Sequence, residues 1–156
     1  MSFYSAGYQG TRLCRHGDSQ LSRIPNVPDS ISMFASGWKF NVFYTQRSEW
    51  YGFGDNEYGQ LGPIGDFSSN FCRISVLDSV VPLYFACGDK FLAIVSKEGL
   101  LICLGRGFGK QPRTLVPEKK ITTCACGTES MMALCDGGGV YYWNDIHNPP
   151  VLVCED

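Results

Sequence analysis

Ala35-Ser36-Gly37, Ala86-Cys87-Gly88 and Ala125-Cys126-Gly127 each close a strand-like apolar run, and each is followed by the same ungapped pattern. Eleven residues beyond the three glycines stand Ser48, Gly99 and Gly138, and seventeen beyond stand Gly54, Gly105 and Asn144. Arg23, Arg73 and Arg113 precede the glycines by fourteen, fifteen and fourteen residues. Agreement on both sides of an anchor marks an internal repeat, and a repeat governs how every element around it is read.

Between the anchors the composition is that of β-structure. Leu92 to Val95 and Leu100 to Leu104 flank Ser96-Lys97-Glu98-Gly99, while Met131 to Leu134 and Val140 to Trp143 flank Cys135-Asp136-Gly137-Gly138-Gly139. Short apolar runs punctuated by Gly, Asp, Lys and Ser read as strands and turns. The Asp-Gly and Gly-Gly pairs supply the positive φ angles of tight hairpins. The runs are apolar throughout instead of alternating, which calls for burial of both faces. Sheets stacked around an axis provide that environment. Ala35, Ala86 and Ala125 suit an inner strand where such sheets converge.

Trp50-Tyr51-Gly52-Phe53-Gly54-Asp55-Asn56-Glu57-Tyr58-Gly59-Gln60-Leu61-Gly62 resembles the hallmark of the regulator-of-chromosome-condensation repeat family: an aromatic strand ending in Gly, then Asn, then Gly-Gln-Leu-Gly. The Ala-Cys-Gly triplets resemble the family's second hallmark. The resemblance implies an all-β chain, an arc of about three four-stranded antiparallel propeller blades forming an incomplete ring. Repeats are expected at about 21–62, 71–110 and 111–148 within a single partial propeller domain spanning 1–156. Residues 3–10, which align with Phe53 onward, read as an isolated last strand of a preceding blade, and Val151-Leu152-Val153 as a possible first strand of a following one. Family members resemble closed rings of about seven blades, so the chain is expected to be part of a longer protein, a self-associating short form, or an arc capped by a partner.

Departures from the family pattern concern its loops. Where the family carries His three residues after the triplet glycine, this chain has Phe40, Phe91 and Ser130. The second repeat ends Leu104-Gly105-Arg106-Gly107-Phe108-Gly109-Lys110 without the Asn and Gln-Leu-Gly, and the third ends Trp143-Asn144-Asp145. The strands and turns that carry the fold survive these changes. Functions tied to the family's standard loops do not follow automatically.

In 156 residues the chain holds eight cysteines and two histidines at a net charge of −2. No apolar stretch approaches the roughly 18 residues of a membrane span, and Met1 to Gly10 has neither the basic nor the apolar region of a signal peptide. A cytoplasmic or nuclear address is expected, with the cysteines as reduced, buried thiols. Cys124 and Cys126 lie too close for a zinc knuckle, and His16 and His147 read as loop residues. Arg106, Lys110, Arg113, Lys119 and Lys120 form a modest basic cluster, short of the excess typical of nucleic-acid readers. Asp55, Glu57 and Asp66 read as a solvated acidic patch. Gly52-Phe53-Gly54 and Gly105-Arg106-Gly107 are not followed by the helix that phosphate-cradling loops use, and the sequence carries no hydrolase, Walker or metalloprotease motif.

The reading is therefore a non-enzymatic module without cofactor or metal, presenting propeller loops to a protein. The expected partner-binding rim is Trp38, Lys39, Asp55, Asn56, Tyr58, Arg106, Phe108 and Lys110. Trp38 and Tyr58 stand out because they fall in turns, where exposed aromatics serve as anchors. Gly37, Gly88, Gly127, Gly54, Gly105, Gly59, Gln60, Leu61 and Gly62 are the structural repeat positions. Alternatives implied by the resemblance are guanine-nucleotide exchange on a small GTPase and association with a chromatin protein. A tryptophan-aspartate propeller is disfavoured, because its Gly-His and terminal Trp-Asp signature is missing.

Overall fold

The computed structural model describes residues 27–116 and 118–154, with backbone only at 67, 69 and 154, together with the backbone of two short strands, β1 (Tyr4–Ser5) and β2 (Ser22–Arg23). These two pair antiparallel, with Tyr4 opposite Arg23. Tyr4–Ser5 is thus not isolated; the rest of the 3–10 segment lies outside the described residues.

Three four-stranded antiparallel sheets follow in chain order. The first blade is β3 (Ile31–Ser36), β4 (Phe40–Thr45), β5 (Trp50–Asp55) and β6 (Phe67–Arg73). The second is β7 (Pro82–Cys87), β8 (Phe91–Ser96), β9 (Leu101–Gly105) and β10 (Gly109–Leu115). The third is β11 (Ile121–Cys126), β12 (Met131–Cys135), β13 (Val140–Trp143) and β14 (Val151–Cys154). Each sheet runs in simple up-and-down order, and the ring is not closed. A single 3-10 turn, Ser75–Leu77, lies between the first two blades. Among the described residues no helix is long and apolar enough to cross a membrane.

Two boundaries differ from the sequence expectation. Val151–Cys154 pairs with β13, Tyr142 opposite Val151, as the outer strand of the third blade and not as the first strand of another. Arg73, the lead-in to the second triplet, lies on the outer strand of the first blade opposite Tyr51. A repeat counted from arginine to glycine therefore straddles two sheets, because sequence anchors mark turns and not sheet edges.

The triplets end the innermost strands. β7 packs against β3, and β11 against β7, so the alanines sit where neighbouring sheets converge. The second blade shows why its strands are apolar on both sides. Every residue of β8 is buried: Leu92 and Ile94 join Phe40, Val42 and Tyr44 in the core shared with the first blade, while Phe91, Ala93 and Val95 join Met131, Ala133 and Cys135 in the core shared with the third. Trp50 anchors the first of these junctions. It is fully buried, its ring lies 4.9 Å from Phe85, and its indole N–H donates to the Val80 carbonyl at 2.9 Å. On the third blade the alternation returns: Met131, Ala133 and Cys135 are buried, and Met132 and Leu134 are exposed.

Candidate functional site

Antiparallel order places two loops of each blade at the same end of the arc: the turn joining its first two strands and the loop joining its last two. All eight residues of the expected rim belong to this end. The inner turns, 37–39, 88–90 and 127–130, are tied together by backbone. Trp38 N–H donates to the Asp89 carbonyl at 3.1 Å, and Asp89 N–H to the Thr128 carbonyl at 3.2 Å. Gly37 makes this approach possible, since a Cβ there would stand 2.4 Å from the Gly88 carbonyl oxygen. The three turns line an open, shallow depression of about 350 Å³ at the axial mouth, formed by the inner-turn glycines with Trp38, Asp89, Thr128, Ser36, Cys87 and Cys126.

Outside the mouth, the outer loops of the first two blades clasp the next blade's inner turn. Lys90 Nζ lies 3.5 Å from Glu57 and 4.5 Å from the Tyr58 ring centre. Arg106, 5.6 Å from the same ring, pairs with Glu129 of the third blade. The charges are reversed from one junction to the next, with the inner turn supplying Lys90 at the first and Glu129 at the second. Burial opposes the Lys90 charge, but Tyr58 and Glu57 outweigh it and hold the ammonium above the usual lysine range.

The expected rim divides accordingly. Trp38 and Lys39 are exposed, Trp38 at 50%, with Lys39 Nζ 5.9 Å from the indole centre. Lys110 is exposed beside Asp66 at 3.9 Å. Asp55, Tyr58, Arg106 and Phe108 are half-buried, Tyr58 and Arg106 within the inter-blade clasp and Phe108 edge-on to Phe91 at 5.8 Å. Asn56 is a correction: it is 1% exposed and unreachable by a partner. Its Nδ2 donates to the carbonyls of Gly62, Ile64 and Gly65 at 2.7–3.2 Å, and its Oδ1 accepts from Leu61 N–H at 2.7 Å.

Gly59-Gln60-Leu61-Gly62 completes the clasp that Asn56 organises. Gly59 and Gly62 take φ of +81° and +79°, and Leu61 is wholly buried. Gln60, also wholly buried, accepts from Tyr58 N–H at 3.2 Å. The motif that identifies the repeat thus builds a loop and offers little of itself to solvent. Sequence reasoning missed Glu57 as a clasp member, and Asp89, Lys90, Thr128 and Glu129 altogether. A usable signal existed, because Lys39, Lys90 and Glu129 all stand two residues after a triplet glycine.

No protein-family model matches the chain. The ultraviolet-B receptor UVR8 of Arabidopsis thaliana is 28% identical over 149 residues, covering 82% of this chain and 34% of that protein. Human WBSCR16 superposes with a TM-score of 0.73 at 20% identity, over 87% of this chain and 41% of its own. Yeast RCC1 (Prp20), in the structure with Kap60, superposes with a TM-score of 0.82 at 19% identity, over 97% of this chain and 44% of that one. The fold is the regulator-of-chromosome-condensation propeller. A second structure, of Prp20p from Saccharomyces cerevisiae, described with its binding properties to Gsp1p and histones, matches with a TM-score of 0.64 at 19% identity, over 72% of this chain and 32% of that one. The chain spans about a third of UVR8 and less than half of each of these solved chains.

Cys87, Cys103 and Cys126 are poor nucleophiles. Burial, then the neighbouring Cys124, raises Cys87 and Cys103. Cys126 is raised first by its hydrogen bond with Cys124 and then by burial. A thiol held protonated neither attacks nor ligates readily. Among the described residues no group of three or more His, Cys, Asp or Glu is placed to hold a metal ion.

Proposed function

We propose that the chain is a non-enzymatic protein-interaction module that docks a protein partner on the loop-bearing end of its blades. The observation that carries this reading is the exposed Trp38 indole at the lip of the mouth, on a turn fixed to its neighbour by backbone hydrogen bonds. An aromatic held rigidly in solvent costs stability alone and is the type of residue that concentrates binding energy. Lys39, Asp55, Tyr58, Arg106, Phe108 and Lys110 form the surrounding surface, with Tyr58 and Arg106 shared between docking and inter-blade packing.

The likeness to Prp20, known in a structure with Kap60 and described with binding to Gsp1p and histones, supports two finer forms of this reading: nucleotide exchange on a small GTPase, and adaptor action on chromatin in the nucleus or cytoplasm. Exchange needs no covalent chemistry, only tighter binding to the nucleotide-free partner. The test is release of a fluorescent guanine nucleotide from a panel of GTPases, run beside capture of histones at graded salt. Acceleration that Trp38→Ala abolishes supports exchange; steeply salt-dependent histone capture supports chromatin binding. Capture of a protein partner that Trp38→Ala does not weaken, with circular dichroism unchanged, would remove this face from the reading.

A further inference from the structure

The axial mouth has a chemistry narrower than a general docking surface. Its lip carries a half-exposed indole, Trp38, and a half-buried carboxylate, Asp89, on turns tied together by the backbone bond between these two residues. Among the described residues Asp89 makes no ion pair, whereas Glu57 pairs with Lys90, Glu129 with Arg106 and Asp66 with Lys110, and Asp55 and Asp145 accept the backbone N–H groups of Glu57 and His147. The Trp38 face accepts a cation, since Lys39 Nζ already stands 5.9 Å from its centre. The glycines of the three turns keep the floor of this open, shallow depression low, and its volume of about 350 Å³ has room for one side chain.

From this we infer that the mouth receives a single arginine presented on a loop of the partner protein, its guanidinium plane on the Trp38 indole and its N–H groups on the Asp89 carboxylate. The inference rests on the interaction-module reading and names the group that the module recognises. Arginine fits better than lysine because it alone combines a plane that stacks on an aromatic with a fork of donors that matches a carboxylate. A quaternary ammonium would call for a cage of several aromatics, and the cavity lining supplies one. An acidic side chain would meet Asp89 as a like charge. Lys39 competes for the same ring, so the incoming arginine displaces it.

The arrangement contains its own reporter. Trp50 and Trp143 are buried at 0% and 3% exposure, so external quenching of tryptophan emission reads Trp38. The experiment titrates the full chain with the peptide acetyl-Gly-Arg-Gly-amide and with the same peptide carrying citrulline, which keeps the shape and removes the charge. Saturable quenching is expected with arginine and about tenfold weaker binding with citrulline, the discrimination of one charge-assisted contact. Asp89→Asn weakens the arginine peptide about tenfold. Lys39→Ala tightens it, an effect that a purely structural role for Lys39 does not produce. Thermal melts monitored by circular dichroism verify that both variants fold. Equal response to arginine and citrulline, no saturable quenching, or indifference to Asp89→Asn overturns the inference. If the mouth ignores arginine while Trp38→Ala still weakens capture of a protein partner, the module reading stands without it. If the mouth takes arginine and no protein is captured, the module reading fails instead.

Discussion

Lys90 Nζ lies 3.5 Å from Glu57 Oε2 and 4.5 Å from the centre of the Tyr58 ring, so one lysine of the second blade holds two residues of the first blade's outer loop. The contact is partly solvated, and pairs of this kind contribute modestly. Lys90→Ala is expected to lower unfolding stability by about 1 kcal/mol. A double-mutant cycle with Tyr58→Leu measured by urea denaturation isolates the coupling. Charge reversal at Lys90 costs more than truncation, and adding Glu57→Lys to it restores part of the loss.

Gly105 and Gly137 share a left-handed backbone, at φ +102° and +98°, but differ in their surroundings. A Cβ at Gly105 would stand 2.5 Å from the Lys90 carbonyl oxygen and 2.9 Å from Phe91 Cα, both backbone atoms; at Gly137 it would meet nothing within 4 Å. Gly137→Ala is expected to cost about 1 kcal/mol, the conformational strain alone, and Gly105→Ala more than about 3 kcal/mol as the clash adds to it. Denaturant midpoints of the two variants separate strain from contact.

Removing the Asn56 side chain strands the buried Gly62 carbonyl and Leu61 N–H inside the outer loop. Asn56→Ala is expected to destabilise the fold by about 2–3 kcal/mol. Capture of a partner by the remaining folded fraction stays unchanged, because Asn56 is not on the surface. Measuring both quantities on one preparation distinguishes a loop organiser from a contact residue.

The raised thiols make alkaline pH destabilising. An unfolded cysteine ionises near 9.0, while burial keeps the folded Cys103 protonated well above that. Stability is therefore intact below pH 9.0 and falls as pH rises, by about 1.4 kcal/mol per unit for each suppressed ionisation. Lys90 acts in the same direction from a higher starting point: its clasp is intact below the ordinary lysine value of 10.5 and is lost as pH passes the higher folded value. Urea midpoints between pH 8 and 10.5 test the thiol effect. Cys103→Ala lowers stability at pH 8 and flattens the decline above 9.

Leu92 and Leu134 are both apolar residues on the second strand of a blade, yet Leu92 is wholly buried between blades and Leu134 is 37% exposed. Leu92→Ala is expected to cost about 2–5 kcal/mol, the range for emptying a packed core, and Leu134→Ala less than about 1 kcal/mol. Similar losses at both positions would mean that another surface covers the third blade in solution.

The rim was only half legible in the residues. Trp38 was found because an aromatic in a Gly-flanked turn has no core to enter. Asn56 was misplaced because a polar residue in a hallmark loop reads as solvent-facing, and nothing in one dimension reveals the ring of carbonyls it bridges. Glu129 escaped because its importance lies in Arg106, more than twenty positions earlier in the chain.

The repeat, the all-β character, the inner position of the Ala-Cys-Gly strands and the four-strand rhythm were set by the order of apolar runs and glycines alone, since local backbone preferences and the alternation of strand faces act over a few residues. Tertiary packing decided where each blade begins and ends, which of two identical-looking apolar faces is covered, and which charges meet across a junction. Those outcomes depend on distances between segments forty residues apart, a quantity fixed only when the blades have stacked.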